Sequence, residues 1–184
     1  MKQRSAVISI ITVCCAFYLW ELVNANIIND LALGSIDYLQ YSHQWYRLFT
    51  VALMHDTSST LPVHLAFNMM ALHSLGTPVE SILGKGRFLA IFFFSLLTGS
   101  LASNYFMAPG GASIGASGAI FGLFGAFVVL GRRMGADVRS TYVIIALNFA
   151  IGFTIGGVDW HAHLGGLLGG ALITKVLLSL NASK

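Results

Sequence analysis

The chain has 184 residues, of which 56% are hydrophobic and only 9% are charged, and its formal net charge is +3. An ordinary soluble domain carries about 25% charged residues, so this composition argues against a water-soluble globular protein. The basic residues are scattered along the chain rather than gathered in one patch, which argues against a nucleic-acid partner.

Six apolar stretches have, or nearly have, the ~20 residues that a helix needs to cross a bilayer. They are residues 5–24, 62–83, 87–106, 116–131, 139–157 and 161–180. The first follows a basic start, "MKQR", as a signal peptide would, but its bulky continuation "CCAFYLWELVNA" and the five later stretches favour a membrane anchor. The sequence therefore predicts an all-α polytopic membrane protein with one transmembrane domain, 1–184, of six helices. Residues 25–61 would form an extramembrane or membrane-dipping loop.

The distribution of basic residues predicts that both termini are cytoplasmic. Six spans in this orientation place nine of the ten basic residues on the cytoplasmic side, as the positive-inside rule requires. Those nine are Lys2, Arg4, Lys85, Arg87, Arg132, Arg133, Arg139, Lys175 and Lys184, and only Arg47 lies outside. In the same orientation the second, fourth and sixth spans all run from the outside inwards.

Four polar residues lie near the outer ends of those three parallel spans. His64 and Asn68 belong to the second span, Ser117 to the fourth and His163 to the sixth. A single serine or histidine at such a place is often a packing or interfacial residue. Four of them at one depth, in a membrane where polar groups are costly, indicate a functional site.

The spacing of the glycines predicts how the fourth and sixth spans meet. One face of each helix carries small residues, namely Gly118, Gly122 and Gly125 in the fourth span and Gly166 and Gly170 in the sixth. Small residues let two membrane helices approach closely. Such an approach would bring the Ser117 hydroxyl within about 3 Å of the His163 ring, as a nucleophile and its base require.

The four polar residues together suffice for acyl transfer. His163 would take the proton of Ser117 during attack. The ring N–H of His64, the side-chain amide of Asn68 and the backbone N–H of Ser117 could then stabilise the oxyanion. Asp159 precedes the sixth span and is expected to face the outer water, so a Ser–His dyad is favoured over a triad.

The fourth span is short, and this predicts water at the site. About 16 residues rise only ~24 Å, less than a hydrocarbon core of ~30 Å. We expect Ser117 to begin this helix below the outer surface, with residues 107–116 dipping in above it. Irregular backbone at that depth requires surrounding protein or a water-filled cavity, so a water-filled pocket is predicted above Ser117.

Five motifs, in order, resemble the rhomboid family of intramembrane serine proteases. They are "WYRLFT" (45–50), "HLAFN" (64–68), "GTPVESILG" (76–84), "GASG" (115–118) and "AHLGGLLGG" (162–170). The resemblance implies a six-helix rhomboid fold in which Ser117 is the nucleophile, His163 the base, and His64, Asn68 and the Ser117 N–H the oxyanion donors. It also implies active-site packing by the motif residues Gly115, Gly118, Phe121, Gly166 and Gly170.

The resemblance further implies cleavage of membrane-anchored proteins in or beside their transmembrane segments, without a metal or cofactor. Two positions depart from the family pattern. Phe121 replaces a frequent tyrosine, whose hydroxyl is therefore lost, and Tyr46 separates the Trp–Arg pair of Trp45 and Arg47. Glu80, in the third motif, is expected to accept hydrogen bonds that fix a loop or a neighbouring helix.

Three functions remain open at this point. The first is an intramembrane serine endopeptidase acting on transmembrane segments within the lipid bilayer, with a bacterial inner membrane as the expected location. The second is a non-catalytic rhomboid-like protein that binds transmembrane helices. The third is a small transporter, against which the absence of an internal repeat in the sequence argues. Neither the substrate nor the oligomeric state follows from the sequence.

Overall fold

The computed structural model describes residues 5–154 and 157–182, and these are mainly α-helical. In chain order the elements are α1 Ala6–Val23, α2 Ile27–Leu31, β1 Leu33–Gly34, α3 Ile36–Ser42, α4 Arg47–Thr50, a 3-10 turn Val51–Leu53, α5 Val63–Leu83, α6 Lys85–Phe106, β2 Ala112–Ser113, α7 Ser117–Arg133, α8 Arg139–Thr154 and α9 Trp160–Ala182. The basic residues Lys2, Arg4 and Lys184, which the topology prediction uses, lie outside the described residues.

Each of the six predicted spans overlaps one long helix, namely α1 or one of α5–α9. In the described part of the chain, α1, α6 and Trp160–Leu180 of α9 are long and apolar enough to cross a membrane. Helices α7 and α8 have 17 and 16 residues. The helical fold class is therefore confirmed, while the six crossings, the single domain of 1–184 and the cytoplasmic termini remain predictions.

Helix α7 lies at the centre of the bundle. Residues 118–126 are buried without interruption, and α7 contacts α5, α6 and α9. A helix that is apolar and buried on every side belongs in the interior of a bundle rather than at its surface. Since Ser117 is the first residue of α7, the central helix begins at the predicted nucleophile.

Glycines allow the backbones of α7 and α9 to touch. A Cβ atom on Gly166 would overlap the carbonyl oxygen of Gly118 and lie 2.7 Å from its carbonyl carbon. A Cβ on Gly170 would likewise overlap the backbone of Gly122. Side chains larger than hydrogen are therefore excluded here, as the glycine spacing predicts, and the two helices pack as small residues permit in membranes.

The N-terminus of α1 is held by Glu80 of α5. The Glu80 carboxylate accepts hydrogen bonds from the Ser5 hydroxyl at 2.6 Å and from the backbone N–H groups of Ala6 at 2.7 Å and Val7 at 3.1 Å. These are among the N–H groups that a helix cannot satisfy itself, and a carboxylate there also favours the helix dipole. The expectation that Glu80 fixes a neighbouring helix is confirmed.

Residues 25–61 form a compact connection whose centre is Arg47. The buried guanidinium donates to the carbonyls of Ala32 and Asn29, each at 2.7 Å, and to the side chain of Gln44 at 2.6 Å. Strand β1, between α2 and α3, pairs with β2, and Leu33 lies opposite Ser113. The connection is thereby tied to the loop 107–116 that leads into Ser117.

Candidate active site

Ser117 and His163 lie within hydrogen-bonding distance. Ser117 is the first residue of α7 and His163 lies in the first turn of α9. Their Oγ and Nε2 atoms are 2.9 Å apart, and the His163 side chain is buried. When the imidazole carries its proton on Nδ1, Nε2 accepts the hydroxyl proton, which is the arrangement of a nucleophile with its general base.

Two phenyl rings fix the plane of the His163 ring. Phe121, one turn after Ser117, stacks on it with ring centroids 4.0 Å apart and an angle of 7° between the planes. Phe149 of α8 approaches edge-on, with centroids 6.4 Å apart and an interplanar angle of 76°. Phe121 therefore packs on His163 without the hydroxyl that the family's frequent tyrosine would supply.

In the described part of the chain, no carboxylate orients the second nitrogen of His163. Its Nδ1 is buried and has no hydrogen-bond partner among the described residues. In a catalytic triad this atom would donate to an acidic side chain. Among the described residues Ser117 and His163 therefore form a pair without an acidic third member, and the use of this pair as a catalytic dyad stays a prediction. Nor do any three His, Cys, Asp or Glu side chains of the described residues lie close enough to share a metal ion.

The protonation of His64 follows from its neighbours. The backbone N–H of Asp56 donates to His64 Nδ1 at 3.2 Å, so in the neutral ring the proton must be on Nε2. That nitrogen faces Gly115, where a Cβ would lie only 3.0 Å away, and Gly115 has a φ of +112° that favours glycine. A donor N–H thus lies beside the backbone two residues before Ser117.

Asn68 lies one turn below His64 on α5 and is buried. Its amide nitrogen donates to the His64 carbonyl at 2.9 Å, while its Oδ1 has no partner among the described residues. One amide hydrogen therefore remains for a ligand. The structure brings Asn68 to the face that carries His64, as the spacing predicts, and its use as an oxyanion donor stays a prediction.

Asp159 does not simply face the outer water, so this expectation was wrong. Its carboxylate accepts hydrogen bonds from the hydroxyls of Ser103 and Ser113, the latter at 2.8 Å, and from the backbone N–H of Ala162 at 3.1 Å. The reason is that the start of α9 lies against α6 and Asp159 reaches Ser113 of β2, so that two buried hydroxyls find their acceptor. Asp159 thus connects α6, the loop before Ser117 and the helix that carries His163.

A small cavity with a mixed polar and apolar lining adjoins Ser117. It offers about 10 Å³ to the centre of a water molecule, which is close to the least that a single water needs. Its lining includes the side chains of Ser100, Ser103 and Ser113 together with Gly115 and Ser117. The outward-open, water-filled pocket expected above Ser117 stays a prediction.

Sequence reasoning missed one buried residue near the site, Glu21, and gave the buried His55 only a role in ordering its loop. Glu21 of α1 accepts a hydrogen bond from the His55 backbone N–H at 3.1 Å, and the His55 ring lies against His64 with centroids 5.3 Å apart. A signal for Glu21 was available, since a carboxylate inside an apolar span is costly and requires an explanation.

The rhomboid domain family model matches residues 42–180, a range that contains all four predicted catalytic and oxyanion residues. The chain therefore belongs to the rhomboid family, and its apolar helices identify it as an integral membrane protein.

Named relatives agree with this membership. The chain is 42% identical over 139 residues to rhomboid protease GluP of Bacillus subtilis, covering 73% of this chain but 26% of that protein. It is 31% identical over 157 residues to rhomboid-type serine protease 2 of Emericella nidulans, covering 81% of this chain and 30% of the relative. It is 34% identical over 155 residues to RHOMBOID-like protein 1 of Arabidopsis thaliana, covering 79% of this chain and 38% of the relative.

Proposed function

We propose that this protein is an intramembrane serine endopeptidase that hydrolyses peptide bonds in or beside transmembrane segments by means of a Ser117–His163 dyad. The observation that carries the proposal is the 2.9 Å separation of Ser117 Oγ and His163 Nε2 at the start of a central buried helix. Membership of the rhomboid family and the names of two relatives as proteases support the same chemistry.

The proposed reaction has two stages. Ser117 Oγ attacks the peptide carbonyl while His163 Nε2 takes its proton, and His163 then protonates the leaving amine. Water, activated by the same imidazole, hydrolyses the acyl-enzyme and restores Ser117. The stacking of Phe121 against His163 supports this scheme, since it keeps Nε2 directed at the hydroxyl through both proton transfers.

The developing oxyanion would be stabilised by three donors. The Ser117 N–H is in the first turn of α7, where helical N–H groups lack internal partners. His64 contributes Nε2–H, whose proton is fixed by the hydrogen bond of Asp56 to Nδ1, and Asn68 contributes its remaining amide hydrogen. Removing one such donor from a serine protease costs about 10²–10³ in kcat.

The substrates would be single-span membrane proteins in a bacterial inner membrane, with six crossings of this chain and both of its termini in the cytoplasm. This orientation places the dyad near the outer surface. A peptide bond must leave the helical conformation before attack, which favours substrates with small or helix-breaking residues near the outer end of the span. The similarity to a Bacillus subtilis protein supports the bacterial location.

The proposal is tested by reconstituting the full chain in proteoliposomes with a set of single-span reporters that carry Ala, Gly and Pro near the outer end. We expect the wild type to cut at least one reporter, and Ser117→Ala and His163→Ala to cut none. Products are identified by mass spectrometry, and thermal unfolding in detergent shows that the variants are folded.

The second candidate, a helix-binding protein without catalysis, gives a different result. In that case the folded wild type would co-purify with a reporter helix but cut none of the set. The Ser117→Ala variant would bind the reporter as well as the wild type does. This result would contradict the protease proposal. The unpartnered Nδ1 of His163 is the observation that gives this alternative weight, since no acidic residue in the described part of the chain orients the base.

A further inference from the structure

Glu21 is a buried carboxylate that the proposed reaction does not use. It lies near the end of α1, and its side chain is only 3% exposed. Its hydrogen bonds are made with the backbone N–H of His55, at 3.1 Å to one carboxylate oxygen and 3.4 Å to the other. Among the described residues this N–H is the hydrogen-bond donor to the Glu21 carboxylate, and a carboxylate buried in an apolar helix is costly to keep.

The peptide that Glu21 holds leads directly to His64. The next N–H along the chain, that of Asp56, donates to His64 Nδ1 at 3.2 Å. Glu21 and His64 are therefore the acceptors of two successive peptide N–H groups. Holding the Met54–His55 peptide leaves only the φ and ψ of His55 between it and the Asp56 N–H, and this N–H determines which nitrogen of His64 carries the proton.

The His55 side chain strengthens the connection. It is fully buried, and its ring lies against the His64 ring with centroids 5.3 Å apart and planes at 53°. Burial, with a smaller contribution from the nearby His64, lowers the pKa of His55 to about 4. His55 therefore stays uncharged at neutral pH, and its ring packs against that of His64.

We propose that Glu21 is a positioning residue for the oxyanion site, and that it holds the peptides of His55 and Asp56 so that His64 presents an Nε2–H donor towards Gly115 and Ser117. The inference rests on the proposed function and deepens it. It assigns a role to a residue of α1, a helix that begins outside the matched rhomboid region and contributes no reacting atom.

Two substitutions of Glu21 distinguish a role as hydrogen-bond acceptor from a role in packing alone. Glu21→Gln keeps an oxygen that can accept from His55 N–H, so kcat is expected to stay within about 3-fold of the wild type. Glu21→Leu fills a similar volume without an acceptor, and kcat is expected to fall about 10- to 10²-fold with KM nearly unchanged, approaching the loss of one oxyanion donor. An equal kcat for Glu21→Leu and the wild type would overturn the proposal.

A double-mutant cycle tests whether Glu21 acts through His64. In a His64→Ala background, Glu21→Leu is expected to cause no further loss of kcat. If it reduces kcat by the same factor with and without His64, Glu21 acts by another route and the proposal is wrong. Should Glu21→Leu fail to fold, Glu21→Asp, which withdraws the carboxylate by one methylene, replaces it and is expected to give an intermediate loss.

An NMR measurement separates failure of this proposal from failure of the protease proposal. The protein is labelled with ¹⁵N-histidine, and the His64 signals are identified by their absence in His64→Ala. We expect an Nε2–H tautomer in the wild type and in Glu21→Gln, and a loss of this preference in Glu21→Leu. An unchanged tautomer in Glu21→Leu refutes the positioning role, whereas a wild type without Ser117-dependent cleavage refutes only the protease.

Discussion

Replacing Gly166 by alanine tests the close approach of α7 and α9 on which the dyad depends. A Cβ at this position would lie 2.7 Å from the carbonyl carbon of Gly118 and overlap the attached oxygen, whereas ordinary contacts begin at 3.4 Å. Both obstacles are backbone atoms, so a side-chain rotation cannot relieve the overlap. The helices must separate by at least about 0.7 Å at this point.

The consequence for the dyad follows from the position of Gly166, one turn after His163 on the same face of α9. A separation of this size would stretch the 2.9 Å contact between Ser117 and His163 to about 3.6 Å, which is no longer a hydrogen bond. Misplacement of a reacting group by about 1 Å can cost ~10²-fold in rate. We therefore expect kcat to fall about 10- to 10²-fold, with a loss of roughly 1–3 kcal/mol in stability from overpacking.

Gly86→Ala is the matched control for this prediction. Gly86 is also helical, lies in the first turn of α6 and has open space where a Cβ would be added. Alanine is favoured over glycine in helices by up to about 1 kcal/mol, so this variant is expected to keep its activity and to keep or slightly raise its unfolding temperature. Rates are measured on a cleaved reporter and stability by thermal unfolding in detergent. Wild-type kcat and stability in Gly166→Ala would refute the reasoning.

Three further substitutions test the parts around the dyad. Phe121→Ala removes the ring stacked on His163, and kcat should fall about 2- to 10-fold. Phe121→Tyr keeps the ring and should stay near the wild-type rate. Equal rates for Phe121→Ala and the wild type would contradict a role of this ring in orienting His163. Asp159→Ala leaves two buried hydroxyls without their acceptor and should lower the free energy of unfolding by about 2–4 kcal/mol. Asp159→Asn keeps an acceptor oxygen and should lose less. An unfolding curve of Asp159→Ala that matches the wild type would refute this stabilising role. Arg47→Lys loses the planar fork and should cost about 1.5–3 kcal/mol, and full stability of this variant would show that its carbonyl contacts are dispensable.

The elements around the dyad were predictable because each has a local sequence signal. Apolar length and basic loops placed Ser117 and His163 at one end of parallel helices, and the spacing of Gly118, Gly166 and neighbouring glycines indicated where those helices touch. The structure places Ser117 at the first residue of α7 and pairs it with His163. Each of these signals lies within one helix or one loop, so it can be recognised in a continuous stretch of sequence.

The contacts that the sequence did not predict join residues that are distant in the chain and have no pattern of their own. Asp159 accepts from Ser103 and Ser113, 56 and 46 residues earlier, and nothing in their local sequence marks a hydroxyl as its partner. Glu21 accepts from a backbone N–H 34 residues later, and every residue type except proline supplies such a donor. The β1–β2 pair has two residues per strand, too short to show an alternating pattern.

The most direct test of the central claim is covalent labelling of the purified full chain with a fluorophosphonate, followed by peptide mass mapping. An activated serine reacts with this probe because a neighbouring base takes its proton. We expect modification of Ser117 in the wild type, none in Ser117→Ala and strongly slowed modification in His163→Ala. A folded wild type that is unlabelled, or that is labelled at a serine other than Ser117, would contradict the account.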